Sequence, residues 1–242
     1  MPLRQATFTD LLPASHTLAA AFADEELFGQ VLHPHRAAYP NDMYLFFLRL
    51  LRTTFYAPDD HILLSTAPDN TPQSETITGV AVWTRKRATK RSPSLYAQAM
   101  TKAMEAYNAA ESLAYPNRAA DPAMSDVLTR MDPFTRHHWS GTRAESWYLN
   151  LLGVDPARSG KGAGRELVAW GFERARAEGV GCSVIAALGK ERFYERCGFD
   201  VVVGRASDEG GERNPLREVR GGVILFWDGG VELRGLKGYG EV

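Results

Sequence analysis

Three glycines alternate at Gly160, Gly162 and Gly164 inside the run Leu152-Gly153-Val154-Asp155-Pro156-Ala157-Arg158-Ser159-Gly160-Lys161-Gly162-Ala163-Gly164-Arg165. Without a Cβ, each lets main chain approach a ligand closely and adopt positive φ. A strand-like apolar stretch, Glu145 to Val154, precedes the run, and an amphipathic helix to about Glu178 follows it. Main-chain N–H groups of such a loop, joined to the start of a helix, make an anion site. Lys161 and Arg165 add fixed positive charge. The natural occupant is a phosphate or diphosphate.

Two common phosphate loops do not fit. A dinucleotide fingerprint needs G-x-G-x-x-G directly after its strand and an acid about twenty residues on. Here the spacing is G-x-G-x-G, and only about 80 residues follow, too few for the rest of a dinucleotide domain. A P-loop needs G-x-x-x-x-G-K followed by Ser or Thr, but Gly162 follows Lys161. Other reactive side chains are sparse. Two cysteines, Cys182 and Cys197, cannot make a disulfide framework, and Cys197 reads as packing. His33-x-His35 and the tandem His137-His138 match no zinc spacing. The tandem pair is expected to diverge, and no metal is expected.

The elements that must hold the loop follow from the remaining pattern. Strands are predicted at Leu3 to Phe8, His61 to Thr66 and Ile77 to Thr84, the last two joined by a polar turn, Pro68 to Ser74. Thr9 or Asp10 caps a helix running to about Phe28, which places Asp24, Glu25 and Glu26 at its unfavourable C-terminal end. Asp42 caps a second, very apolar helix, Met43 to Tyr56. Arg85 to Arg91 holds five Lys or Arg in seven residues and reads as a solvated linker. Pro93 opens a helix to about Ala114 whose face of Tyr96, Met100, Ala103, Met104, Tyr107, Ala110 and Ala114 should pack on a sheet or cover a pocket. Tyr115 to Ser140 reads as loop with short helix. After the glycine loop and its helix come a strand (Cys182 to Ala187), a short helix (Lys190 to Cys197) ended by Gly198, a strand (Phe199 to Val203), a polar loop (Ser207 to Arg220) and a last strand, Gly222 to Trp227. Glu145 to Ala187 has the form of a crossover unit with parallel strands. The expected fold class is α/β (α+β): a mixed central sheet of about seven strands with helices on both faces.

The loop segment resembles the acyl-CoA site of the GNAT superfamily of N-acyltransferases. Leu152, Val154 and Pro156 match the end of that family's strand, Gly162 and Gly164 its glycines, and Gly160 a usual extra one. Ser159 stands at the Gln/Arg position, with Arg158 beside it. The resemblance implies that the amides of Ser159, Gly160, Lys161, Gly162, Ala163, Gly164 and Arg165 surround the diphosphate of acetyl-CoA. It also implies that main-chain groups of Leu152 and Val154 hold the pantetheine arm. Phe193-Tyr194-Glu195-Arg196-Cys197-Gly198-Phe199 resembles the family's F-Y-x-x-x-G-F segment, and Tyr194 matches the tyrosine that protonates the departing CoA thiolate in many members. An amine must lose a proton to attack, and Glu145, which begins the strand, is the first candidate base. Asp24, Glu25 and Glu26 fall where the family shapes its acceptor pocket and could attract a cationic amine.

The resemblance is strongest over 146–203 and implies one GNAT-like domain over 1–242 with a helical insert at about 85–140, as in fungal small-molecule members. The implied activity is acetyl transfer from acetyl-CoA to a small amine, by direct transfer in a ternary complex. The alternatives are an acyl-CoA-binding sensor without catalysis and a protein N-acetyltransferase.

Composition sets outer bounds. The 242 residues carry 28 Lys plus Arg against 29 Asp plus Glu, a net charge of −1 that argues against a dedicated nucleic-acid partner. The most apolar stretch, Met43 to Leu51, is broken by Arg49 and falls far short of the ~20 residues of a membrane span. No basic segment precedes an apolar one at Met1, so a soluble cytoplasmic protein is expected.

Overall fold

The structure, a computed structural model, describes residues 2–68, 75–89 and 91–229. Seven strands form one mixed sheet: β1 (Leu3–Gln5), β2 (Asp60–Pro68), β3 (Glu75–Lys86), β4 (Ser146–Val154), β5 (Gly181–Ala186), β6 (Val201–Arg205) and β7 (Val223–Trp227). Their order is β1-β2-β3-β4-β5-β7-β6. Among the described pairs only β4 and β5 run parallel; the helix α5 (Ala163–Glu178) makes the crossover between them. The turn expected between β2 and β3 lies, from 69 to 74, outside the described residues.

One irregularity decides the geometry of the centre. Val82 pairs with Leu151 but Trp83 pairs with Leu149, so Asn150 is an extra residue in β4. Such a bulge bends its strand and reverses which face the following side chains take. Trp147 and Leu149 accordingly point into the core under α5, with Leu167, Val168 and Phe172. Leu151, two residues on, points into the opposite core, with Leu11, Leu18 and Phe47. The α5 core packs closely because Gly171 has no side chain: a Cβ there would stand 2.3 Å from the Trp83 ring, whose Nε1–H donates to the Leu167 carbonyl at 3.1 Å.

The opposite core is covered by α1 (Leu11–Phe22) and α2 (Tyr44–Thr54). The first helix stops six residues short of the expected end. At Glu25 the backbone is extended, and its carboxylate caps a six-residue π-helical turn, Glu26–Val31, accepting the Phe28 N–H at 2.7 Å. The acids expected at a helix C-terminus thus flank the start of the next turn, where negative charge is favourable.

The insert departs further from expectation. Arg85 and Lys86 are not linker but the end of β3, paired with β4. Arg85 is only 6% exposed and sits between Glu145 and Glu178 at 2.7 and 2.6 Å. Lys86 lies over the rings of Trp139 and Tyr148. α3 (Leu95–Ala114) forms as predicted but buries no residue. It rests on α2 mainly through polar groups: Glu111 accepts from Arg49 and Arg52 at 3.2 and 2.9 Å. Its aromatic stripe neither packs on the sheet nor covers the cleft described below; Tyr96 is 68% exposed. α4 (Val127–Thr135) follows, and the short α6 (Glu191–Cys197) ends at Gly198 in the left-handed region, as expected. No helix of the described residues is long and apolar enough to cross a membrane.

Candidate active site

β4 and β5 pair only from Ser146–Gly181 to Leu149–Val184. Past the bulge at Asn150, β4 stays with β3 and leaves β5, so the two parallel strands splay. From Asn150 to Val154 the β5-facing edge of β4 has no strand partner among the described residues. An extended arm of a ligand can enter that gap and meet main-chain donors and acceptors. Leu152 and Val154 lie along it.

The glycine loop closes one end of the gap. Gly160 and Gly162 have φ of +79° and +94°, a region that side chains strain to reach. A Cβ at either would meet open space, so the requirement is conformational and not steric. Gly162 is the left-handed residue at which α5 begins. The first intrahelical bond runs from the Glu166 N–H to the Gly162 carbonyl at 3.1 Å. The amides of Ala163, Gly164 and Arg165 precede that bond and point out of the helix start. A diphosphate fits this donor set.

Loop and gap open into one cleft of about 920 Å³. Ser159, Gly160, Gly162, Ala163, Gly164 and Arg165 line it together with Leu152 and Val154; Lys161 does not and is exposed. Lys190 and Arg196, which sequence reasoning left out, add positive charge to the wall. Arg196 was within view, inside the segment that carries Tyr194.

Tyr194 also lines the cleft and is buried. Burial, then the neighbouring Cys197, Tyr148 and Glu25, pushes its phenol above the ordinary value. At neutral pH it therefore carries its proton and can give it up to a stronger base formed nearby. Cys197 lines the same wall, and burial raises its thiol too, which disfavours the nucleophilic thiolate.

The two acids after Asp24 have different fates. Glu26 accepts from the N–H groups of Arg220 and Gly221 at 3.1 and 2.9 Å and from the Arg220 guanidinium at 3.1 Å. Burial opposes its ionisation, but those donors overcome it and hold the carboxyl below the usual range. Glu25 has no ion pair among the described residues. Burial raises its carboxyl, with only partial relief from the Phe28 N–H. It lines the cleft, as do the apolar Phe22, Phe28, Met131, Leu216 and Val219.

Glu145 is not brought to this cleft. It precedes the N-terminal end of β4, away from the splay, bound to Arg85 at 2.7 Å and to the Ala88 N–H at 2.8 Å. The Ala88 N–H, against some burial, and the Arg85 guanidinium hold its carboxyl below the ordinary value. The tandem histidines do not diverge either: their ring centroids are 4.0 Å apart, and both face Glu209.

Comparison with known proteins finds one family model, over the central segment. Residues 132–201 match the family model described as acetyltransferase (GNAT) domain, a stretch that runs from α4 through the glycine loop to the start of β6. No curated protein matches the sequence. Among solved structures, the chain shares its fold with the crystal structure titled histone acetyltransferase HPA2 and related acetyltransferase from Corynebacterium glutamicum. The two are 19% identical, 93% of each chain is covered, and the TM-score is 0.53. It also resembles an agmatine N-acetyltransferase at 16% identity over 93% of this chain and 96% of that one, with a TM-score of 0.52. The family match falls on the segment that holds the glycine loop and Tyr194, and the two solved structures share the fold.

Proposed function

We propose that this protein moves the acetyl group of acetyl-CoA to a small amphipathic primary amine, by direct transfer within one cleft, and that residues 1–242 act as one such domain. The carrying observation is the splay of β4 from β5 beside an outward-facing row of amides, with Tyr194 on the same cleft. The diphosphate binds the amides of Gly160 to Arg165, helped by Arg165, Lys190 and Arg196. The pantetheine arm runs along Leu152 and Val154 toward the bulge. The neutral amine nitrogen attacks the thioester carbonyl, the C–S bond breaks, the Tyr194 hydroxyl protonates the leaving thiolate, and the proton shed by the acylated nitrogen restores the phenol.

Glu25 replaces Glu145 as the residue we assign to the amine. Its carboxylate forms no ion pair among the described residues, lines the cleft and can take the ammonium proton, directly or through one water. The apolar walls favour an amine carried on an apolar body. Met131 from the insert, with Leu216 and Val219, adds apolar lining to the cleft and supports a small acceptor over a protein lysine.

The test is release of free thiol from acetyl-CoA across a panel of arylalkyl and alkyl monoamines, diamines and lysine peptides. Turnover should be fastest with apolar monoamines. Preference for peptides would overturn the acceptor assignment. Coenzyme binding without thiol release from any amine would overturn catalysis and leave an acyl-CoA-binding module.

A further inference from the structure

The insert ends in a 3-10 turn, Arg136–Trp139, that carries His137 and His138 side by side. Glu209, from the loop after β6, reaches back to both. Its Oε1 is 3.1 Å from the His138 Nε2 and 4.0 Å from the His137 Nε2. All three ligand atoms lie within 4.8 Å of one another. A tetrahedral site with bonds of about 2.0–2.2 Å spaces its ligand atoms roughly 3.3–3.6 Å apart, so small side-chain shifts would bring the three onto one centre.

Two further observations favour an ion over an ordinary His–Glu contact. No lysine or arginine forms an ion pair with Glu209 among the described residues, so its carboxylate lacks a fixed counter-charge. Trp139, the next residue, anchors the turn: its Nε1–H donates to the Ser183 hydroxyl at 2.8 Å, and its ring packs edge-on against Tyr148. Ligands held on an anchored turn lose little freedom when an ion binds.

We propose that His137, His138 and Glu209 bind one divalent transition ion of the zinc class, with water completing the shell. Two imidazoles and one carboxylate suit such an ion and not magnesium or calcium, which prefer oxygen ligands. The ion clips the end of the insert to the loop that follows β6. That loop carries Leu216, Val219 and Arg220 to the cleft, and α4, just ahead of the histidines, carries Met131. The proposal does not depend on the acetyltransferase reading.

The experiment is zinc titration of chelator-stripped, full-length protein by calorimetry, with cobalt as an optical probe of coordination. The expected result is one equivalent bound per chain, visible absorption of tetrahedral cobalt, and a higher Tm in zinc. His137→Ala, at a side chain 58% exposed, and Glu209→Gln should each keep the far-UV spectrum and weaken zinc binding at least as much as the roughly 10–100-fold seen when an outer-shell partner is lost. Absence of saturable binding, or equal affinity in the wild type and both variants, would overturn the site. Any ion bound to the folded chain raises Tm, so the clip is read by proteolysis: zinc should slow cleavage within 207–220, and unchanged cleavage would overturn it.

Discussion

At its N-terminal end β4 is held on both sides, by β3 and by parallel β5, and the residue before it, Glu145, is fixed between Arg85 and a backbone N–H. At its C-terminal end, past Asn150, only β3 remains, and the free edge faces a cleft with Glu25 across it. Both regions present a glutamate close to the sheet. One has a guanidinium at 2.7 Å and an acidity fixed low; the other has no ion pair among the described residues and an acidity pushed the other way by burial. Carboxylate chemistry is set by what surrounds the group. Where the ladder is complete, the glutamate is held by fixed partners; where it opens, we assign the glutamate to a ligand.

The largest effect expected at the open end is at Tyr194. Tyr194→Phe should slow turnover by about 10²–10⁴-fold while leaving acetyl-CoA affinity intact, measured by thiol release and calorimetry. An unchanged rate would remove the phenol from the reaction.

Glu25→Gln should lower kcat/KM for the amine by about 10²-fold. The base must be ionised, and burial raises its pKa, so in the wild type kcat/KM should climb with pH through a window above the ordinary carboxylate range. The variant should lose that limb and keep only the slope of the amine's own titration. A pH profile that survives in Glu25→Gln would return the search for a base to the rest of the cleft.

Gly162→Val should weaken acetyl-CoA binding about 10-fold, because left-handed backbone at a β-branched residue costs roughly 1–3 kcal/mol. Smallest of all, Glu145→Gln at the closed end should leave turnover within about twofold and lower stability by less than about 1 kcal/mol, since the side chain is 43% exposed and Arg85 keeps Glu178. A collapse of activity in Glu145→Gln comparable to that in Glu25→Gln would erase the distinction between the two ends.

Much of the open end was legible in the sequence. Alternate glycines announce positive φ and a bare main chain, and the strand before them and the helix after them are strongly patterned. Tyr194 was found through its motif, and strand number and chain order through periodicity. What escaped were features fixed by tertiary pairing. Arg85 reads as part of a charge run, and only its two glutamate partners, 60 and 93 residues away, explain why it is buried. Nothing local signals that α1 stops at Phe22, since Ala23-Asp24-Glu25 carries no Gly or Pro. The bulge at Asn150 is a matter of register with β3 and leaves no mark on composition. The face of α3 was predicted from spacing alone, and spacing does not say whether a neighbour exists to receive it.

Calorimetric titration of the folded protein with acetyl-CoA tests the central claim most directly. The amide row at the start of α5 and the splayed strands predict saturable binding of one equivalent, weakened in Gly162→Val and unchanged in Glu145→Gln. Folded protein that releases or absorbs no heat with acetyl-CoA or with free CoA would contradict it.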